Sequence, residues 1–299
     1  MPAHQSPFPR YEWPAGKSCG FCFTVDVDAE SVHLWNLRND QSERILGPME
    51  RRIFGPRTGS WRLLDLLDRY GIKGTFFVPG YVAETYPELL PAYVGRGHEV
   101  GLHGFFHEHA SHVGDDEFAG ALEASIAVFK KQIGIMPKGF RSPSWEMTAF
   151  MLVELKRRGL YDTSLMGFDH PYTIDGVTEI PVQWTVDDAI YFKFDGAGND
   201  KWPPSAQDGI LNTWIDEWTV ISRDSDLFML TVHDWISGRA ARIRMLEKML
   251  DVVTKTAGVW ITTVGEVAAH HASSANASRY VVQSRTPAPI ASRRFKGAR

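Results

Sequence analysis

Short apolar segments alternate with longer segments of helical periodicity along most of this 299-residue chain. Such alternation is typical of βα units, in which a helix follows each strand of a parallel sheet. Eight segments have the length and apolar content of strands: Phe21 to Val27, Gly74 to Val78, Glu99 to Leu102, Gly139 to Arg141, Leu160 to Leu165, Glu179 to Val182, Leu227 to Val232 and Val259 to Thr262. This number of units favours an α/β fold closed into a distorted (β/α)7-8 barrel over an open sheet.

The segments between these strands predict helices. One begins at Thr58-Gly59-Ser60 and ends at Gly71, and glycine commonly follows a helix. Another begins at Thr263, where Glu266 completes a capping box. Further helices are predicted over residues 117–132, 148–158, 210–222 and 239–255. Two insertions, residues 29–57 and 183–204, follow strand ends, so both are expected to shape a binding site.

The chain is predicted to be one domain with two extensions: a Pro-rich arm (residues 1–16), a barrel (residues 17–271) and a basic, flexible tail (residues 272–299). The tail holds six Lys or Arg and no Asp or Glu, which leaves 26 basic against 36 acidic residues in the rest. A nucleic-acid binder needs a basic face, and the folded part lacks that excess. We therefore expect no nucleic-acid partner.

Membrane and redox features point to a cytoplasmic protein. No apolar segment approaches the roughly 18 to 20 residues that span a bilayer, and the first residues lack the apolar centre of a secretory signal. Cys19 and Cys22 have the C-x-x-C spacing of redox pairs and of half a zinc site. Because they lie on a strand, this spacing directs them to opposite faces, and we expect them to be inert.

Two strand ends carry residues that can bind a metal. Asp26 and Asp28 project from the same face of the first strand, and adjacent carboxylates repel unless a cation or proton intervenes. His103 and His107 follow the third strand with a spacing common in zinc sites. Asp28, His103 and His107 are therefore candidate ligands that would leave positions for water. A solvated strand end and exposed loop histidines remain the alternatives.

Two other strand ends add candidate catalytic groups. His233 follows the seventh strand, at the end of the barrel where catalytic groups collect. Arg141 follows the fourth strand and could hold a carboxylate through a bidentate pair. A buried structural histidine and an ordinary surface arginine are the alternatives.

The ordered motifs Asp26-x-Asp28, His103-x3-His107, Arg141-x-Pro143 and Thr231-x-His233 resemble those of the polysaccharide deacetylase family, also called the NodB-homology or carbohydrate esterase 4 family. The resemblance covers about Lys17 to His270. Further segments, including residues 97–104 and 236–239, resemble a branch that contains cofactor-independent allantoinases and the Helicobacter-type peptidoglycan deacetylase. The resemblance implies a distorted (β/α) barrel and metal-dependent hydrolysis of an amide C–N bond other than a peptide bond.

The resemblance also implies a role for each motif. One divalent ion, Zn²⁺ or another transition metal, would be held by the ligands Asp28, His103 and His107. A metal ion lowers the pKa of its bound water toward about 7 and polarises an amide carbonyl.

The catalytic roles follow in the same way. Asp26 would be the general base, Arg141 would orient it, and His233 would be the general acid. Most members have two adjacent aspartates where Val27 here separates Asp26 from Asp28. The aspartate with which the family tunes the acid histidine has two candidates here, which are Asp187 and Asp188.

The expected substrate is a small cyclic amide, imide or ureide, or an N-acyl sugar, since no export signal toward peptidoglycan is visible. Trp145 and Trp235 are predicted to bind this substrate. One alternative is a non-catalytic carbohydrate-binding barrel, with Trp145, Trp184, Trp202 and Trp235 as stacking surfaces. Another is a non-haem Fe(II) oxygenase, which also uses two His and one carboxylate. The presence of Asp26 and His233 argues against the first, and the H-x3-H spacing argues against the second.

Apolar residues in the arm and the first insertion predict a homo-oligomer, because aromatic side chains are enriched at protein interfaces. The residues are Phe8, Tyr11, Trp13, Trp35, Ile45, Leu46, Ile53 and Phe54. The resemblance implies the same, since members of the branch are oligomeric. The alternative is that these residues fold back onto their own barrel.

Overall fold

A computed structural model describes residues 10–38, 46–194, 200 and 203–285. Ten strands form one sheet: β1 (Cys19–Asp26), β2 (Thr75–Val78), β3 (Glu99–Leu102), β4 (Gly139–Phe140), β5 (Tyr161–Asp162), β6 (Tyr172–Ile174), β7 (Val177–Glu179), β8 (Leu227–His233), β9 (Val259–Ile261) and β10 (Val281–Val282). All eight predicted strands are present within a few residues of their predicted positions.

Thirteen α-helices connect or follow these strands in the described part of the chain: α1 (Ser31–Asn36), α2 (Leu46–Phe54), α3 (Ser60–Tyr70), α4 (Gly80–Thr85), α5 (Leu89–Gly95), α6 (Asp115–Ile133), α7 (Ala149–Arg158), α8 (Ala189–Phe192), α9 (Gln207–Asp224), α10 (Asp234–Ser237), α11 (Ala240–Val253), α12 (Val264–Ser273) and α13 (Asn276–Arg279). Gly71 ends α3 with a φ of 65°, and the capping box of Thr263 and Glu266 begins α12, so both predicted signals are confirmed. None of the helices in the described ranges is long and apolar enough to cross a bilayer.

The strand order is β10-β6-β7-β5-β4-β3-β2-β1-β8, and β9 also pairs with β1. Every pairing is parallel except that of β6 with β7. The segment after β7 returns to the other edge of the sheet, where Asp187 forms a parallel bridge with Thr231 of β8. The sheet thereby closes into the predicted distorted barrel.

Strand β1 is buried on both faces, and its side chains alternate between two apolar clusters. Phe21, Phe23 and Val25 pack in the larger cluster with the surrounding helices, and Cys19 belongs to the same cluster. Cys22 belongs to the second cluster, which includes Phe77 and the apolar side of α12. The two cysteines are therefore free, buried and separated, as their spacing on a strand predicts.

The predicted tail is a point of correction. The boundary at residue 271 falls inside α12, and α13 and β10 follow it. Strand β10 pairs with β6, so the folded domain extends at least to residue 282. Strands β6 and β10 were not predicted because each has only two or three residues, too few to show an apolar period. Residues 286–299 lie outside the described part.

The arm and the first insertion contact their own barrel. Tyr11 is 5% exposed and stacks near His271 and Tyr280, and the indole of Trp13 donates a hydrogen bond to the carbonyl of Ser225 at 2.7 Å. Trp35 of α1 is also buried. For Tyr11 and Trp35, the alternative that these residues fold back onto their own barrel is therefore the correct one.

Other residues of this apolar set differ. Leu46 is 75% exposed, and Ile53 and Phe54 are half-buried. Phe8 and Ile45 belong to the ranges that the structure does not describe. Part of the predicted interface is thus still available at the surface.

Candidate active site

The register of two neighbouring strands brings together the ends of β1 and β8. Asp26 of β1 is paired directly with His233 of β8. Two residues later, Asp28 begins a turn in which the Ser31 backbone N–H donates to the carbonyl of Asp28 at 3.2 Å. The carboxyl ends of parallel strands therefore bring residues more than 200 positions apart to one cleft.

Asp28, His103 and His107 form a compact group of buried side chains. Asp28 Oδ1 lies 3.4 Å from Nε2 of His103 and 3.7 Å from Nε2 of His107. Nδ1 of His103 donates to the carbonyl of Arg141 at 2.8 Å, so its Nε2 is left with a lone pair toward Asp28. All three predicted ligands thus offer an acceptor atom to the same point.

This group fits a divalent ion. Tetrahedral ligands with bonds of roughly 2.0 to 2.2 Å are roughly 3.4 Å apart, which matches the separations found here. Asp28 Oδ1 is buried and has no hydrogen-bond partner within the described residues. A buried carboxylate oxygen without a donor is costly unless a cation satisfies it.

The protonation of these groups suits the same role. Burial lowers the pKa of His107 to about 3, so this ring is neutral at ordinary pH. Burial alone would raise the pKa of Asp28, but its interactions with His107, His103 and His233, which include a hydrogen bond with His103, outweigh burial and hold that pKa well below its usual value. A neutral imidazole and an ionised carboxylate are the forms that bind metals.

A tight loop between His103 and His107 sets their relative orientation. Gly104 has a φ of 69°, and a Cβ there would lie 2.4 Å from a carboxylate oxygen of Glu108. That carboxylate accepts hydrogen bonds from the backbone N–H groups of Phe105 at 2.8 Å and Phe106 at 3.0 Å. The glycine is therefore required by both conformation and space, and the loop holds the two imidazole rings 4.9 Å apart.

Asp26 is paired with a fully buried guanidinium. Arg141 Nη1 lies 2.7 Å from Asp26 Oδ1 and also donates to Oγ1 of Thr24 at 2.9 Å. Nε of Arg141 donates to the carbonyl of Thr163 at 3.2 Å. Asp26 Oδ2 lies 3.8 Å from Nε2 of His103, close to the metal-ligand group. Arg141 thus fixes one oxygen of Asp26 and leaves the other toward the cleft.

His233 is held from behind by Asp188. Its Nδ1 lies 2.7 Å from Asp188 Oδ1, and its backbone N–H donates to Asp188 Oδ2 at 2.9 Å. The hydroxyl of Ser237 also donates to Asp188 Oδ2. Burial alone would lower the pKa of His233, but Asp188, with smaller effects of Asp28 and Asp187, raises it well above 6.5. His233 is therefore in the protonated form that can act as an acid.

Asp187, the other candidate from the sequence, borders the cleft and does not hold Nδ1 of His233. One of its oxygens accepts from the backbone N–H of Ala189 at 2.6 Å. Burial raises the pKa of Asp187 to about 7. Asp187, Asp188 and His233 also form a compact acidic group. The distance of 2.7 Å between His233 Nδ1 and Asp188 Oδ1 is that of a hydrogen bond, so these two atoms share a proton. Two ligands of one ion are roughly 3 Å apart or more.

A cleft of about 360 Å³ is bordered by Asp26, Asp28, His103, His107, Asp187 and His233. Arg141 lies behind Asp26, and Asp188 lies behind His233. Trp145 and Trp235 border the cleft too, as predicted. The ring centroids of Trp145 and Trp184 lie 4.1 Å apart, with the ring planes tilted by 34°, and Trp184 is 40% exposed. Trp202 lies outside the described residues. Another cleft of about 430 Å³ lies beside α1 and α6, and its lining holds none of the predicted site residues.

Three functional candidates were missed by the sequence analysis. Arg52 and Lys193, one from each insertion, border the cleft. Glu30 accepts hydrogen bonds from Tyr81 at 3.2 Å and Tyr86 at 3.0 Å, which anchors the turn after Asp28. None of the three lies in a motif, and only the tertiary structure shows that Arg52 and Glu30 are buried.

Comparisons with known proteins identify the family of this chain. A sequence profile of the polysaccharide deacetylase family matches residues 54–162. A solved Mycobacterium smegmatis structure assigned to the polysaccharide deacetylases is 30% identical, covers 93% of this chain and 96% of its own, and has a TM-score of 0.84. The chain therefore belongs to the polysaccharide deacetylase family.

Two other known proteins are similar to this chain. A Helicobacter pylori protein named peptidoglycan deacetylase is 29% identical over 277 residues, which cover 82% of this chain and 94% of that protein. A solved allantoinase structure has a TM-score of 0.77 at 19% identity, covers 90% of this chain and 95% of its own, and shows the shared fold alone.

Family membership makes this chain a metal-dependent hydrolase of C–N bonds other than peptide bonds. The predicted family, fold and class of activity are confirmed. The oxygenase and the non-catalytic barrel, which were alternatives from the sequence, are not supported.

Proposed function

We propose that this chain hydrolyses the amide bond of a small N-acyl sugar, ureide or cyclic imide. The observation that carries this proposal is the convergence of three groups on one cleft of about 360 Å³. These are the Asp28, His103 and His107 group, the Asp26–Arg141 pair and the His233–Asp188 pair.

Asp28, His103 and His107 would hold one divalent ion, and Zn²⁺ suits a site of two imidazoles and one carboxylate. Such an ion supplies a Lewis acid for the amide carbonyl and makes a nearby water more acidic. Asp26 would accept the proton of the attacking water on Oδ2, the oxygen that Arg141 does not hold. Arg141 would keep that carboxylate aimed at the cleft.

His233 would supply the proton that the departing nitrogen needs. Its Nδ1 N–H is occupied by Asp188, so the proton would leave from Nε2, which lies 3.7 Å from Asp28 Oδ2. An amide nitrogen is a poor leaving group until it is protonated, and general acid catalysis contributes about 10²- to 10⁴-fold. Asp26 and His233 are paired in register, and so they would act from neighbouring strand ends on one bound carbonyl.

A small substrate is favoured by the size of the cleft and its aromatic walls. Pockets of roughly 300 to 1,000 Å³ suit small molecules, and this cleft is at the lower end. The neighbouring rings of Trp145 and Trp184, with Trp235, offer flat apolar surfaces for a sugar or a planar ring. Both kinds of substrate occur among the relatives, as the names peptidoglycan deacetylase and allantoinase state.

The test is reconstitution of the chelator-treated protein with Zn²⁺, Co²⁺ or Mn²⁺, followed by a screen of N-acetyl sugars, ureides and cyclic imides. Acetate release reports deacetylation, and loss of ring absorbance reports opening of a cyclic imide. Turnover that requires the ion and disappears in Asp26→Asn supports the proposal. A correctly folded, ion-loaded protein that hydrolyses none of the three classes contradicts it.

We further propose that the chain is cytoplasmic and forms a homo-oligomer. Two buried free cysteines suit a reducing compartment, and cell fractionation tests the location. The exposed Leu46 and the half-buried Ile53 and Phe54 support an interface on α2.

A further inference from the structure

Arg52 is a buried cation at the active-site cleft that the mechanism above does not use. It lies on α2, within the insertion that follows β1, and it is 3% exposed. It borders the same cleft as Asp26, Asp28 and His233. Arginine is rarely buried without a defined purpose, because removing its charge from water is costly.

Its contacts place the guanidinium of Arg52 between Trp235 and Asp28. The guanidinium carbon lies 4.3 Å from the ring centroid of Trp235, which is two residues after His233. Nη1 lies 3.9 Å from Asp28 Oδ2, on the side of Asp28 away from the oxygen that faces His103 and His107. This separation is an ion pair and is too long for a hydrogen bond. This cation–π contact with Trp235 holds the guanidinium beside the metal-ligand group.

Arg52 and Arg141 occupy different places at the site. Arg141 makes hydrogen bonds with Asp26, Thr24 and Thr163 and lies behind the catalytic carboxylate, so it has a positioning role. Arg52 forms part of the cleft wall itself. Lys193, on the second insertion, adds another cation to that wall. The base, the acid and the candidate ligands come from the ends of barrel strands, whereas the two wall cations come from the insertions that shape the site.

On the basis of the proposed function, we propose that Arg52 binds a carboxylate carried by the substrate near its scissile amide. The preferred substrates would then be small anionic amides, imides or N-acyl sugars, and neutral analogues would be poorer. The planar fork of a guanidinium matches a carboxylate with two parallel hydrogen bonds. A divalent ion on Asp28 would share that carboxylate with Arg52, so this part of the wall becomes more positive and favours an incoming anion.

Pairs of substrates in which one member carries an additional carboxylate-bearing group test this proposal. Dihydroorotate and dihydrouracil share the same cyclic imide, and N-acetylmuramic acid and N-acetylglucosamine share the same N-acetyl group. The kcat/KM ratio of the anionic to the neutral member is measured for wild type, Arg52→Gln and Arg52→Lys. We expect Arg52→Gln to lower this ratio at least tenfold, mainly through KM, and Arg52→Lys to recover part of it because the charge remains without the fork.

Arg57→Gln is the matched control, because it removes one positive charge from the same insertion. Arg57 is exposed and pairs with Glu50 at 2.9 Å, outside the cleft. Its ratio should equal that of wild type. A purely structural role for Arg52 would lower both members of each pair equally and leave the ratio unchanged, which would overturn the proposal. Thermal melting shows whether each variant is folded. If Arg52→Gln does not fold, the kcat/KM ratio of Arg52→Lys tests the proposal in its place.

A binding measurement separates this proposal from the proposed function. Calorimetry with succinate, and with neutral succinamide as its control, is carried out on the Zn²⁺-loaded and the chelator-treated protein. We expect Arg52→Gln to weaken succinate binding at least tenfold and to leave that of succinamide unchanged. If no amide is hydrolysed but succinate binding depends on Arg52, the proposed function fails and the anion site stands. If hydrolysis occurs and succinate binds equally to wild type and Arg52→Gln, the anion site fails alone.

Discussion

The Nδ1 N–H of His233 donates to Asp188 Oδ1 at 2.7 Å, while Nε2 of the same ring lies 3.7 Å from Asp28 Oδ2. One nitrogen is thus committed to a buried carboxylate, and the other faces the cleft. This arrangement fixes the orientation of the ring and keeps it charged, because the ion pair with Asp188 outweighs the effect of burial on the pKa.

Asp188→Asn should cause kcat/KM to fall at a lower alkaline pH than in wild type. The raised pKa of His233 keeps the acid protonated at pH values below that pKa, and loss of the Asp188 charge lowers it. The alkaline limb of kcat/KM should therefore move to lower pH. Ser237→Ala, which removes only one donor to Asp188, should move this limb much less or in the opposite direction. Identical alkaline limbs in wild type and Asp188→Asn would exclude Asp188 as the residue that tunes His233.

His107→Ala should abolish tight metal binding without unfolding the protein. The ring lies on the loop after β3 and offers one of three ligand atoms, so its loss leaves too few ligands for the ion. His109→Ala is the control, because His109 borders the same cleft outside the ligand group. Elemental analysis of the purified variants measures the bound ion. Full occupancy in His107→Ala would show that the ligands are assigned incorrectly.

Asp26→Asn should keep the ion and lose nearly all turnover. An amide cannot accept the proton of water, although it preserves the shape of the side chain beside Arg141. His233→Ala should also lose rate, most strongly for substrates whose leaving nitrogen is most basic. The expected losses are about 10²- to 10⁴-fold. Rates within about tenfold of wild type for both variants would mean that neither residue is the base or the acid.

Asp234→Asn should flatten the dependence of stability on pH. Burial raises the pKa of Asp234 to about 8, whereas an unfolded aspartate has a pKa of roughly 3.9. Between these values the folded state binds a proton that the unfolded state does not, so this group makes stability fall as pH rises. The slope is at most about 1.4 kcal/mol per pH unit.

Urea unfolding of wild type and Asp234→Asn from pH 5 to pH 8 measures this difference. Asp208→Asn, on the surface of α9, is the control and should retain the slope of wild type. Parallel curves for wild type and Asp234→Asn would show that Asp234 is ionised in the folded protein.

Removal of residues 1–16 should destabilise the barrel by about 3 to 5 kcal/mol, the usual cost of losing a buried aromatic side chain. The reason is that Tyr11 packs between His271 and Tyr280. Light scattering of the full chain tests the oligomer separately. A monomeric mass would reject the interface on α2, and a multimer that survives the truncation would show that the arm serves the fold and not the interface.

The chemistry at the strand ends was predictable because barrels collect such residues at one face. Asp26, Asp28, His103, His107 and His233 each follow a strand with a clear apolar run, and the structure brings them together in one cleft. Their roles are still predictions, since only variants measure them.

The residues that surround this group were not predictable, for physical reasons. Arg52 lies in the polar segment Met49-Glu50-Arg51-Arg52, whose composition is typical of an exposed helix. Its burial depends on contact with Trp235, which is 183 positions away. The choice between Asp187 and Asp188 depends on the bridge that Asp187 forms with Thr231, because this pairing brings the next residue, Asp188, to Nδ1 of His233. Tyr11 looked exposed because its partners, His271 and Tyr280, lie at the other end of the chain.

Strand β1, which carries Asp26, pairs with β2, β8 and β9 at once. Amides in a strand with neighbours on both edges exchange with solvent only through the rarest openings, which approach global unfolding. The amides of Phe23 and Val25 should therefore be among the slowest to exchange with deuterium. Heat or urea should then inactivate the enzyme only when the whole barrel opens, since the carboxylate proposed as the base belongs to its most protected strand.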